Sequence, residues 1–125
     1  MSKSVLNDIS WSFIGNKFDD IDTFRNKLIE YQGERSLDLN LDDICFLASC
    51  ISIDYWCYDG ENQITKTVEV HSDNGISLTP LEVLYKLHNL TVQDLDGIDH
   101  HFFQGLVPLK ESKLDSPKFK IWQGS

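Results

Sequence analysis

At 125 residues, 41% of them hydrophobic and 25% charged, the chain is long enough for one buried core and too apolar to remain disordered. Its net charge of −9 opposes phosphate backbones, whose binding depends on cationic side chains, so no direct nucleic-acid binding is expected. No stretch approaches the ~20 consecutive apolar residues of a bilayer span, and residues 1–13 lack the apolar run of a secretory signal, so the expectation is a cytoplasmic protein away from membranes.

In chain order, Ile9, Trp11 and Phe13 alternate with Ser10 and Ser12, the period of a half-buried strand. Ile21, Phe24, Leu28 and Tyr31 then fall on one helical stripe, with Asp19 and Asp20 at the positive end of the helix dipole and Gly33 beyond its other end. Residues 34–43, with Leu37, Leu39 and Leu41 alternating, read as an edge strand or a loop. Residues 44–59 begin apolar on both faces, as a central strand does, and stop at "DGEN". Ile64, Val68 and Val70 alternate beyond that turn with Thr65, Thr67 and Glu69, which predicts a β-hairpin.

The next helix has an unusually complete start. Thr79 is the predicted N-cap, Pro80 occupies the first helical position, Glu82 completes a capping box, and Leu78 and Val83 have staple spacing. "TVQDLDG" (91–97) reads as a turn or a short second helix, "HHFFQGLVPL" (100–109) as short extended or irregular chain, and "KFKIWQGS" (118–125) as a closing strand with Phe119 and Ile121 on one side and Lys118, Lys120 and Trp122 alternating with them. Helices and strands do not alternate as a doubly wound fold requires. The expected architecture is a single α+β domain over 1–125, a mainly antiparallel sheet with two or three helices packed on it.

Chemical signatures are sparse. There is no Gly-x-Ser-x-Gly elbow and no glycine-rich phosphate loop, so no catalytic residue and no cofactor is expected. Cys45, Cys50 and Cys57 lie in an apolar run without Cys-x-x-Cys spacing and read as buried thiols. His88, Asp99, His100 and His101 are ligand types for a divalent metal, and a small metal protein or enzyme built on them is one alternative. Adjacent histidines on extended backbone point to opposite faces, however, so only one of the pair can join His88. The tripeptide Asp99-His100-His101 is shared with a phosphoesterase superfamily, but the other acidic motifs and the larger parallel-sheet domain of those enzymes are missing.

Charge gives the stronger signal. Residues 34–61 hold Glu34, Asp38, Asp42, Asp43, Asp54, Asp59 and Glu61 against Arg35 alone, and so carry six of the nine excess negative charges. Within that segment Tyr55, Trp56 and Tyr58 adjoin Asp54, Asp59 and Glu61. Aromatic anchors ringed by carboxylates suit a surface that grips a basic protein; ordinary strand packing of two of the three aromatics is the competing reading.

Three pieces of the second half, "LTPLEVLYKLHN", "DHHFFQGL" and "FKIWQGS", resemble the C-terminal part of small bacterial immunity proteins, which are encoded beside polymorphic or contact-dependent growth inhibition toxins. The resemblance covers residues 78–125. It implies a cytoplasmic inhibitor, without catalysis of its own, that binds one cognate toxin domain. Contact residues vary with the toxin in such families, so none is transferred, and Asp99–Gly105 is read as scaffold. The acidic composition agrees with a nuclease as target, because nucleases present basic clefts. A generic interaction domain is the remaining alternative.

Overall fold

Two ten-residue strands, β2 (Cys50–Asp59) and β3 (Asn62–His71), form the predicted hairpin. Gly60 and Glu61 close it, and Gly60 has φ of 65°, a conformation that a two-residue hairpin loop demands at its first position and that glycine adopts without strain. The computed structural model describes residues 5–6, 8–33, 40–113 and 116–124; the alternation of Leu37 with Leu39 falls outside them.

The remaining elements are β1 (Trp11–Ser12), α1 (Ile21–Gln32), α2 (Pro80–Leu95), β4 (Phe102–Pro108) and β5 (Lys118–Gly124). The five strands make one sheet in the order β1-β4-β5-β2-β3. Three of its four pairings are antiparallel, and β2 with β5 is parallel. This is the α+β architecture expected, with two helices. The last strand lies in the middle of the sheet, a placement that local alternation does not specify.

Both helices lie on one face. α1 starts at Asp20, whose carboxylate accepts the Thr23 N–H at 2.7 Å, and buries Phe24 and Leu28. Tyr31, on the same predicted stripe, is 44% exposed; Gln32 turns inward instead, accepting the Ser10 N–H at 2.9 Å and donating back to the Ser10 carbonyl. That exchange fastens α1 to the chain just before β1, and the helix rotates to make it. α2 is longer than predicted. Thr91 returns its hydroxyl to the Leu87 carbonyl, and Val92 and Leu95 extend the buried stripe through "TVQDL". Thr79 caps it as expected, accepting the Glu82 N–H at 3.2 Å. Glu82 does not complete the capping box: its carboxylate takes the Asp73 N–H and the Lys86 ammonium, both at 2.7 Å, and so ties the β3–α2 loop to the helix.

The helix-facing side of the sheet carries Ile51, Ile53, Tyr55 and Cys57 from β2, Val70 from β3, Phe103 and Leu106 from β4, and Phe119 and Ile121 from β5, all buried. Phe103 and Leu106 are three residues apart and would point to opposite faces of a regular strand. A bulge between them restores the facing, since Phe103 pairs with Gln123 and Leu106 with Ile121. Gly105 sits in that bulge at φ of 125°, a conformation closed to side-chain-bearing residues. Gly105→Ala is expected to cost about 1–3 kcal/mol, read as a lowered urea midpoint, and an unchanged midpoint would show that the bulge relaxes freely.

Residues 44–49 do not continue β2. Phe46 bridges to Leu78, while Ile44 and Leu47 are 59% and 79% exposed. The cysteine expectation therefore changes: Cys57 is buried, Cys50 intermediate and Cys45 exposed, all three free. The Cys45 Sγ nonetheless points at the Leu78 carbonyl, 3.4 Å away, and burial of that thiol pushes its pKa up to about 12.

Candidate interaction face

The alternation that buries Ile51, Ile53, Tyr55 and Cys57 sends Asp54, Trp56 and Tyr58 to the other side of the sheet, which carries neither helix. Lys118 and Lys120 of β5 pair in register with Ser52 and Asp54, so Trp122 joins the same face. Trp122 is 53% exposed and Tyr58 49%. Trp56 is half-buried, with its ring 5.8 Å from Tyr58 in an edge-on arrangement and 4.8 Å from the His100 imidazole.

Gln123 fixes Trp56 in this position. Main-chain pairing of β2 with β5 ends at Asp54 and Lys120, and beyond that point the Gln123 amide substitutes for it. Its Oε1 accepts the Trp56 N–H at 2.9 Å, and its Nε2 donates to the carbonyls of Trp56 at 3.0 Å and His100 at 2.9 Å. One side chain thus joins β2, β5 and the segment entering β4. A fixed backbone beneath a half-buried aromatic lowers the entropy lost on docking.

Of the six residues singled out from sequence, Asp54, Trp56 and Tyr58 share this face, and Asp59 and Glu61 are exposed at the hairpin tip. Tyr55 is a correction. It is 3% exposed on the helix side, where its hydroxyl donates to Asp94 at 2.5 Å and Lys66 approaches the same carboxylate at 3.3 Å. Burial, then the Asp94 carboxylate, holds the phenol well above its usual range. Strand parity is the cause: a residue next to an outward tryptophan must point inward. Trp122, Lys120 and His100 were not singled out for the site, although the alternation of "KFKIWQGS" does place Trp122 opposite Phe119 and Ile121.

The described acids of the segment do not form one continuous surface. Asp42 and Asp43 lie on the loop whose Leu41 carbonyl accepts the Leu81 N–H at the start of α2, apart from the hairpin acids. Asp42 makes a two-pronged pair with Arg25, at 2.5 and 2.8 Å, and the guanidinium hydrogen bonds hold its carboxyl below the usual range. Glu34, Arg35 and Asp38 lie outside the described residues. On the face itself, Asp54 accepts the Thr67 hydroxyl at 2.6 Å, which orients it without neutralising it.

The histidine alternative does not assemble. His88 is fully buried among Trp11, Phe13, Phe18 and Phe24, its Nδ1 accepting the Trp11 indole N–H at 3.1 Å and its Nε2 donating to the Asn16 carbonyl at 2.9 Å. Both ring nitrogens are occupied, and burial holds its pKa below the ordinary histidine range. His101 directs Nδ1 to the Ile98 carbonyl, His100 packs on Trp56, and Asp99 is exposed. Asp99 caps nothing among the described residues. The three histidines have separate structural contacts, and among the described residues the four side chains share no ligand site.

The fold and this face define a small α+β protein with two helices on one side of its sheet and an aromatic, partly charged surface on the other. No protein-family model, curated protein or solved structure matches the chain. Among the described residues, no helix is long and apolar enough to cross a membrane.

Proposed function

We propose that this chain is an immunity-type inhibitor: a cytoplasmic protein that binds a basic toxin domain, in particular a nuclease, and blocks it without performing chemistry of its own. The observation that carries this reading is the helix-free sheet face on which Trp56, Tyr58 and Trp122 stand beside Asp54, with Asp59 and Glu61 at the adjoining hairpin tip. Aromatic rings supply contact area, and carboxylates supply paired acceptors for arginine. The net charge of −9 steers a basic partner toward the molecule, and the likeness of residues 78–125 to immunity proteins points the same way. Lys118 and Lys120, on the same face, limit its negative field and favour a partner whose contact patch is mixed rather than uniformly basic.

Joint reversal of Asp54, Asp59 and Glu61 to lysine tests the surface. Association with the basic product of the adjacent gene is expected to slow by about 10-fold or more at low ionic strength, with the difference shrinking as salt is added. Stopped-flow measurement of the association rate decides it. Identical rates for the two proteins would place the interface elsewhere.

A further inference from the structure

We propose that Cys50, Glu69 and His71 form a binding site for a thiophilic divalent cation of the zinc class. The three side chains come from the open end of the β2–β3 hairpin, far from the Gly60 turn. Cys50 lies directly opposite His71, and Glu69 lies opposite Ser52, so all three stand on the same helix-free face. Their ligand atoms lie within 4.8 Å of one another, the only such trio of histidine, cysteine and carboxylate groups among the described residues.

The spacing suits tetrahedral coordination. Zinc–sulfur, zinc–nitrogen and zinc–oxygen bonds of normal length, set at tetrahedral angles, place neighbouring ligand atoms about 3.6 Å apart. Cys50 Sγ is 3.7 Å from Glu69 Oε2 and 3.9 Å from His71 Nε2. The Glu69–His71 separation, at most 4.8 Å, closes by rotation of those two exposed side chains. Thiolate, imidazole and carboxylate together select zinc over magnesium or calcium, which prefer all-oxygen sites. A depression of about 230 Å³, lined by Cys50 and Glu69 with Ser49, Ser52 and Ser116, adjoins the trio and leaves room for a solvent molecule as fourth ligand.

The cation bonded to the His71 main chain does not oppose this arrangement. Lys86 donates to the His71 carbonyl at 2.6 Å, but Asp73 and Glu82 each hold its ammonium at 2.7 Å and offset its charge. On binding, the Cys50 thiol releases its proton to solvent as Sγ takes the metal. The ion would then clamp the two strand ends. The site lies on the same sheet face as the proposed docking surface but at the other end of the hairpin; it uses none of the six residues singled out from sequence, and it stands whether or not a toxin is bound.

Untagged protein, stripped of metal by a chelator, is titrated with Co²⁺ and then with Zn²⁺. One equivalent of cobalt per chain is expected, with thiolate-to-cobalt charge-transfer absorption that zinc abolishes by displacement, and zinc should raise the Tm. Cys50→Ser and His71→Ala are each expected to weaken binding by more than about 100-fold, the upper end of what loss of an outer-sphere contact does. Cys45→Ser and His100→Ala serve as controls that retain it. Circular dichroism verifies that each variant is folded, and Glu69→Gln gives a third, exposed position to read. Substoichiometric cobalt without the charge-transfer band, or undiminished binding by Cys50→Ser or His71→Ala, overturns the proposal.

Discussion

Replacement of His88 by alanine is expected to destabilise the protein by about 3–5 kcal/mol, a large share of the roughly 5–15 kcal/mol that holds a domain of this size together. Two losses combine. Removing the ring leaves a cavity among Trp11, Phe13, Phe18 and Phe24, whose ring centroids lie 5.0–6.1 Å from it. It also leaves the buried Trp11 indole N–H without its acceptor, an unsatisfied donor that costs about 1–3 kcal/mol, and frees the carbonyl of the exposed Asn16 to water.

The same burial makes stability depend on pH. His88 donates from Nε2 and accepts at Nδ1, so only the neutral ring satisfies both neighbours. Its folded pKa is depressed from 6.5 by burial, which outweighs the opposing effect of the Asn16 carbonyl. The unfolded chain takes up a proton near that value, and the native protein does not. This contribution is therefore complete above pH 6.5 and is lost progressively as the pH falls below it. Urea unfolding at neutral and mildly acidic pH reads the slope. His88→Phe should flatten it, and a wild-type slope retained in His88→Phe would place its source elsewhere.

The second large effect concerns binding. Trp56→Ala and Trp122→Ala are each expected to weaken partner affinity by about 2 kcal/mol or more, roughly 30-fold in Kd, as central tryptophans do in protein interfaces. Their effects on stability differ. Trp122, 53% exposed, supports little of the fold, and its replacement should change unfolding free energy by less than about 1 kcal/mol. Trp56 packs on His100 and Tyr58, so its loss also frees its neighbours, although Gln123 still holds its backbone. Calorimetric titration of both variants separates affinity from folding. Two variants that bind within twofold of the wild type would remove the aromatic face from the interface.

Much of the fold is legible because local signals agree with the tertiary environment. Phe24 and Leu28 of the α1 stripe follow from periodicity, and the Thr79-Pro80 start of α2 combines it with a hydrogen-bonding requirement. The central position of β5 is not legible, because parallel pairing with β2 depends on contacts distant in sequence. Nor is the β4 bulge, which becomes visible only when Phe103 and Leu106 are both required to face the core. Cys50 and His71 illustrate the middle case. Once the turn is set at Gly60 and Glu61, residues whose numbers add to 121 lie opposite one another, and the thiol and imidazole follow from that register. The long apolar run before Cys50 obscured it, because it read as continuous strand. Tyr55 failed for a similar reason: proximity to Trp56 in sequence outweighed the alternation that places the two on opposite faces.

Calorimetric titration of the wild-type chain with the product of the adjacent gene, with nuclease activity of that product assayed at each addition, tests the inhibitor reading most directly. We expect saturation at one inhibitor per toxin, with activity extinguished at the same equivalence point. Heat-silent mixing accompanied by undiminished cleavage would contradict it.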